Sequence, residues 1–404
     1  MQLADNSIAN ILENVGYQNV SNTVNNFDEG FNLNNQNVSS DSSLSKSLNN
    51  QQFKTAGRSS NPNPIFSNAA IFTDFNGDGK ADKLWRNSQT GETAIWLMDG
   101  GNIISTDFLE NVGSDWSYSF ADFNRDGKSD IFWRNQSTGE NSIWLIDGTR
   151  IISNTSLQTI ESSWSYSIAD FNGDGRNDIF WRNTQTGENA TWLINNTNVT
   201  TAAFLSQKNL NWTASIVDFD GNGKNDIFWR NNTTGENKVW FMNGVDLAEY
   251  SLLNFESGWS YDTGDFNGDS KTDIFWRNSE TGENSIWLMN GVFTIGRSVR
   301  KRDSDWKYSV GDFNGDGKTD IFWHNEITGE NTAWMMDGLS VARAAFLPTT
   351  VSFVQPYVGD FNGDGKTDIF WRNGENGETN LWLMNDTTAT KTSLPQLSSE
   401  WVTD

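Results

Sequence analysis

Seven nine-residue segments of the chain place oxygen side chains at the spacing that wraps a loop around one hard cation. They begin at Asp74, Asp122, Asp170, Asp218, Asp265, Asp312 and Asp360, in steps of 48, 48, 48, 47, 47 and 48 residues. Positions 1, 3, 5 and 9 of each hold Asp or Asn, and position 6 is usually Gly. With the carbonyl of position 7 added, the candidate ligands of the first three loops are Asp74, Asn76, Asp78, Lys80 and Asp82; Asp122, Asn124, Asp126, Lys128 and Asp130; and Asp170, Asn172, Asp174, Arg176 and Asp178. Those of the fourth and fifth are Asp218, Asp220, Asn222, Lys224 and Asp226, then Asp265, Asn267, Asp269, Lys271 and Asp273. The last two loops offer Asp312, Asn314, Asp316, Lys318 and Asp320, and Asp360, Asn362, Asp364, Lys366 and Asp368. Water would complete six or seven oxygens around the ion. Calcium suits that donor set better than magnesium, which holds a tighter octahedron and keeps more of its water. Up to seven Ca2+ sites are therefore expected.

The opening resembles an EF-hand, but an EF-hand closes with a bidentate Glu at position 12 between two helices. Here position 12 is Trp in every loop, so the Asp at position 9 must close the site. A single Asp- and Gly-rich loop reads equally well as a solvated turn; seven with one ligand pattern do not. Three carboxylates about 5 Å apart repel by roughly 3 kcal/mol per pair at an effective dielectric of about 20. Seven divalent ions would lower the formal charge from −24 to −10 and clamp the fold, adding about 2.7 kcal/mol per site at a hundredfold excess over the dissociation constant. Two loops depart from the pattern. Asn222 replaces Asp at position 5 of the fourth, where Asp220 keeps the carboxylate count, and Ser270 replaces the position 6 Gly of the fifth. A non-Gly residue at positive φ costs about 1 kcal/mol, so the fifth site is expected to be the weakest.

The elements that hold these loops follow from the tryptophans. One stands eleven residues after each loop begins (Trp85, Trp133, Trp181, Trp229, Trp276, Trp323, Trp371) and another twenty-two after (Trp96, Trp144, Trp192, Trp240, Trp287, Trp334, Trp382). A third register, six residues before the loop, holds Trp116, Trp164, Trp212, Trp259, Trp306 and, by context, Trp401. Residues 116–121 alternate bulky and small side chains, as a strand does. Residues 131–134 and 142–146 are apolar on nearly every position, so both faces of those strands must be covered. A tight hairpin, Asn135 to Gly139, joins them. A variable fourth strand, such as 151–153, is expected at the outer edge. Four strands per unit, covered on both sides by copies of the same unit, describe the blade of a propeller. The fold expected is all-β, a seven-bladed β-propeller of four-stranded antiparallel blades over residues 65–404. An open solenoid would need polar end caps, and the terminal units keep the consensus. Trp401 opens an eighth inner strand, either a ring-closing strand or a frayed remnant.

Other recurring residues read as structure. Arg86, Arg134, Arg182, Arg230, Arg277 and Arg372 precede the hairpin, and Glu92, Glu140, Glu188, Glu236, Glu283, Glu330 and Glu378 follow it. Directly opposed, they would form cross-strand ion pairs worth a few tenths of a kcal/mol. His324, the one histidine, takes the Arg place in the sixth unit and reads as a substituted pair member rather than a catalytic base. Phe75 and its counterparts at loop position 2 are expected to anchor the loops in the core. The tryptophans are read as packing between blades, with sugar stacking reserved for any that face outward.

Composition excludes whole classes. With 28 Lys+Arg against 52 Asp+Glu the chain would repel nucleic acid and anionic membranes. It has no cysteine, which removes disulfides and thiolate sites, and no apolar run of about 18 residues to span a bilayer. Residues 1–60 are rich in Asn, Ser and Gln and are expected to be mostly disordered. One short amphipathic turn is possible at Ile8, Ile11, Leu12 and Val15. No Lys or Arg precedes Lys46 and no apolar h-region is present, so no Sec-type signal peptide is expected.

The run Asp-Phe-Asn-Gly-Asp-Gly-Lys-x-Asp-Ile-Phe-Trp-Arg-Asn, followed by Thr-Gly-Glu and Ile-Trp-Leu-Met, resembles the FG-GAP/VCBS repeat family. That resemblance implies the blade topology of the integrin α-subunit head, with calcium loops between the first and second strands. It also implies extracellular recognition, including adhesion and, in some propeller lectins, glycan binding; the sugar-contacting residues of those lectins match no positions here. The function expected is a noncatalytic, monomeric calcium-binding module at the cell surface or outside the cell, with a protein or glycan ligand. The rival is a propeller enzyme acting on polysaccharide, which would need one blade to differ from the rest. Extracellular calcium modules bind at about 0.1 to 1 mM and would be empty in a cytosol.

Overall fold

The computed structural model describes residues 73–350, 355–373, 376–397 and 401–403, which form 28 strands, β1 to β28 in chain order, and no helix among the described residues. The segment 1–60 lies outside them. In the first blade β1 (Lys83–Asn87), β2 (Thr93–Asp99) and β3 (Asn102–Phe108) run outward. The second blade is complete in sequence order, β4 (Trp116–Ala121), β5 (Asp130–Asn135), β6 (Asn141–Asp147) and β7 (Arg150–Leu157). Seven such four-stranded antiparallel sheets are present. The nine-residue loops join the first and second strand of each blade, as expected.

Burial follows the apolar runs. Every residue of β5 is buried, while β7 alternates between half-buried and exposed, so it forms the outer rim. The core is a circle of shared interfaces. Phe132 and Ile143 of the second blade pack with Trp181 and Trp192 of the third, and Phe370 and Leu381 of the seventh pack with Trp85 and Trp96 of the first. That last cluster excludes an open solenoid.

Closure settles the place of Trp401. The strand β28 (Trp401–Thr403) pairs with β1, Trp401 opposite Asn87 and Thr403 opposite Trp85, the register in which Trp116 faces Asn135 and Tyr118 faces Trp133. The other half of that inner strand comes from the beginning of the ring. The Asp82 N–H donates to the Thr73 carbonyl at 2.5 Å and the Thr73 hydroxyl to the Asp82 carbonyl at 2.6 Å. The first and last described segments of the ring, Thr73 and β28, therefore meet on the same edge of the first blade.

The expected Arg–Glu pairs do not form. The hairpin register puts Asn141, not Glu140, opposite Arg134. Glu140 instead accepts from the Thr138 hydroxyl at 2.8 Å, in solvent. The Arg134 side chain is 1% exposed and donates to Asn141 Oδ1 at 2.9 Å and to the carbonyls of Ile160, Glu161 and Trp164. Its guanidinium also lies over Trp181 of the next blade. His324 holds the same place: Nδ1 meets Asn331 Oδ1 at 2.8 Å, and its ring lies edge-on to Trp371.

Candidate metal-binding loops

Each loop folds around its first aspartate. The Asp74 carboxylate accepts from the N–H groups of Gly77 at 2.6 Å and Gly79 at 2.8 Å. Asn76 Oδ1 accepts from the Asp78 N–H, and Asp78 Oδ1 from the Lys80 N–H. The chain can wrap this tightly because Gly77 and Gly79 adopt φ of 77° and 83°. Position 2 is the anchor expected: Phe75, Phe123, Phe171, Phe219, Phe266, Phe313 and Phe361 are all buried.

Position 9 is the most buried member of the set. Asp82 is fully buried; its Oδ2 accepts from the Phe75 N–H at 2.8 Å and its Oδ1 from the Met98 N–H at 2.9 Å, tying the loop to the third strand of the blade. The same two bonds recur at Asp130, Asp178, Asp273, Asp320 and Asp368. Burial first, and the neighbouring loop aspartates after it, push these carboxyls up, to about 7 at Asp82 and Asp130 and about 8 at Asp178, Asp273, Asp320 and Asp368. A carboxylate oxygen has two lone pairs, so each retains acceptor capacity.

The fourth loop differs. Asp218, Asp220 and Asp226 bring carboxylate oxygens within 4.8 Å of one another, the one such trio among the described residues. Asp226 Oδ1 accepts from the Met242 N–H, but Oδ2 makes no hydrogen bond of good geometry, the Phe219 N–H that bonds this oxygen in the other loops acting only weakly here. Burial, backed by Asp220 and Asp218, raises its carboxyl to about 8. Elsewhere position 3 is Asn, so a carboxamide fills the place that Asp220 occupies here. The donors of this acidic trio, one of them a buried and weakly bonded carboxylate, fit a hard cation such as calcium.

The position 7 side chains divide. Lys80 reaches Asp99 at 2.7 Å and Lys318 reaches Asp337 at 2.6 Å, both away from the loop, whereas Lys271 and Lys366 pair with the position 5 aspartates of their own loops, Asp269 and Asp364, at 3.2 Å, and Arg176 with Asp174 at 3.5 Å. Two features escaped the sequence reading. Arg125, at position 4 of the second loop, adopts φ of 61°, and its side chain donates to the Asp174 carbonyl of the next loop. Position 8 links neighbouring loops: the Ser129 N–H donates to the Asp74 carbonyl at 2.6 Å, and the Asp74 N–H returns to Ser129 Oγ at 2.9 Å. Ala81 keeps the first bond, to the Asp360 carbonyl, but has no side chain for the second. Ser270 takes the expected positive φ, 65°.

With the loops and blades in place, the comparisons decide the family. The FG-GAP-like repeat matches at residues 74–133, 122–181, 170–229, 218–276, 265–323 and 312–371, more than half of the chain. The chain belongs to the FG-GAP-like repeat family. No curated protein matches this FG-GAP propeller. Among solved structures it is similar to a lectin of Agrocybe aegerita that recognises non-reducing terminal N-acetylglucosamine, at TM-score 0.65 and 15% identity, covering 80% of this chain and 95% of that one. It is also similar to the prolyl oligopeptidase B of Galerina marginata, at TM-score 0.52 and 11% identity, covering 87% of this chain and 53% of that one. At these identities the likeness is one of fold.

Proposed function

We propose that the FG-GAP propeller is a noncatalytic recognition module whose loops bind calcium outside the cell and whose rim binds glycan. The observation that carries the calcium reading is the fourth loop, where Asp218, Asp220 and the buried Asp226 bring three carboxylates together. Calcium there would supply the positive charge that lets buried carboxylates ionise, and with it a clamp between the first and third strands of a blade. Asp218, Asp220, Asn222, Asp226 and the Lys224 carbonyl would hold it, and the corresponding residues of the other loops would do the same with Asn at position 3.

The glycan reading rests on the rim. Phe108, Tyr250, Phe293 and Phe346, all on outermost strands, are between 50% and 74% exposed. An exposed aromatic face stacks well on a sugar ring, and such side chains repeated around a ring favour multivalent binding over a single reaction centre. The likeness to a sugar-binding propeller over 95% of its length agrees with this reading. A glycan array probed with the purified protein in calcium should give binding that weakens when Phe293 and Phe346 are both replaced by Ser. An array blank in calcium would remove the glycan reading.

A further inference from the structure

The fourth and sixth blades carry the same cationic place with one difference. Lys208 and Arg302 occupy equivalent positions, each donating its N–H to a hairpin glycine of the preceding blade, Gly187 and Gly282. Lys208 lies 5.2 Å over Trp212 and 5.5 Å over Trp240; Arg302 lies 4.4 Å over Trp306 and 5.0 Å over Trp334. In the fourth blade a carboxylate completes the arrangement. Glu249, directly opposite Trp240 in the sheet, accepts from Lys208, from Lys238 at 2.5 Å and from Trp240 Nε1 at 2.7 Å. In the sixth blade the residue opposite Trp334 is Ala344. The donors that Glu249 satisfies in one blade are left without partners in the other: Arg302 Nε, Trp334 Nε1 and Thr332 Oγ1 are all buried and make no hydrogen bond. Trp334 and Thr332 are 1% and 2% exposed.

These groups line one pocket of about 290 Å3, with Arg300, Lys301 and the exposed Phe346 at its edge. Lys301 is held by Glu283 at 2.7 Å. No ion pair engages Arg300 or Arg302 among the described residues. Buried donors left unpaired are costly, and a cation beside them makes an anion the partner that satisfies all at once. Trp192 Nε1 is also unpartnered, but the place beside it is taken by Ile160, in an apolar cluster that offers an anion nothing.

We infer that the pocket between the fifth and sixth blades binds the carboxylate of a small external acid in the position that Glu249 fills in the fourth. Its volume lies at the small end of ligand sites, which run from about 300 Å3, and suits an acid of monosaccharide size. The site does not depend on calcium; it shares Phe346 with the rim, but the acid is held by Arg302, Trp334 and Thr332, none of which the rim reading uses.

Isothermal titration of the full chain with glucuronate, benzoate and neutral methyl glucoside tests the pocket. At least one acid binds saturably at millimolar concentration or below, and the neutral glucoside does not. Glucuronate preferred over benzoate marks an acidic sugar; the reverse marks a flat aromatic acid, and either supports the site. Ala344→Glu, which rebuilds the fourth-blade arrangement on an exposed strand position, weakens binding roughly tenfold or more and raises the Tm, because the side chain now meets Arg302 and Trp334. Arg302→Leu, a residue found at the same place as Leu397, abolishes binding and cancels that rise in Tm. Binding of neither acid, binding that Ala344→Glu leaves unchanged, or no rise in Tm overturns the inference.

Discussion

The guanidinium of Arg372, in the last blade, lies 5.1 Å from the ring centre of Trp85 in the first. Arg86, Arg134, Arg182, Arg230 and Arg277 repeat that contact with Trp133, Trp181, Trp229, Trp276 and Trp323, and His324 meets Trp371 at 5.2 Å. A circle of seven such contacts crosses every interface. Arg86, Arg134, Arg182, Arg230 and Arg277 also tie their own hairpins to the connection leading into the next blade, so one side chain serves packing and hydrogen bonding together.

Arg134→Ala leaves the carbonyls of Ile160, Glu161 and Trp164 without this donor and removes the stack on Trp181. Loss of a buried charged donor of this kind costs about 3–5 kcal/mol. Arg134→His, which copies the native His324, should cost less. Urea denaturation midpoints check the order, and equal midpoints for the two variants would deny the contact its role.

Ser270→Gly relieves a positive φ and stabilises the protein by about 1 kcal/mol. Arg125→Gly relieves a similar φ but gives up the hydrogen bond to the Asp174 carbonyl, so its gain is smaller. Melting curves of the two variants measured side by side should rank them in that order.

Burial alone would raise the Glu249 carboxyl, but hydrogen bonds from Lys208, Lys238 and Trp240 hold it down at about 2. Its folded value is below its ordinary 4.5, so its contribution is complete above pH 4.5 and is lost as pH falls from 4.5 towards 2. Stability measured across that window should fall less steeply in Glu249→Gln than in the parent, while at pH 7 the variant is the less stable of the two.

Deleting residues 401–404 removes β28 and bares the inner edge of β1. The deletion should lower the Tm and promote association through the unpaired strand. An unchanged melt and a monodisperse sample would show that β28 is dispensable to closure.

The blades were legible because Trp and the loop aspartates recur in phase, and a period needs no partner to be seen. The loop anchors were equally plain, since an apolar Phe amid Asp and Gly has only the core to enter. The partner of Arg134 was not. A hairpin of one residue's difference in register exchanges Asn141 for Glu140 as the opposite residue, and side-chain spacing alone does not determine which. The tie of Asp82 to Met98 and the sharing of one pocket by Arg302 and Ala344 join residues separated in the chain, so they became visible only once neighbouring strands and blades were placed. Arg125 stood at a Gly position within the repeat and could have been found by aligning the loops at position 4.

Calcium in the loops is open to one measurement: metal analysis of the purified full chain, paired with melting curves before and after exhaustive chelation. Occupied loops give several calcium ions per chain, a Tm that drops on chelation and recovers with calcium but not with magnesium, and a smaller drop in Asp226→Asn. A metal-free protein whose Tm is the same with chelator and with calcium would contradict the assignment.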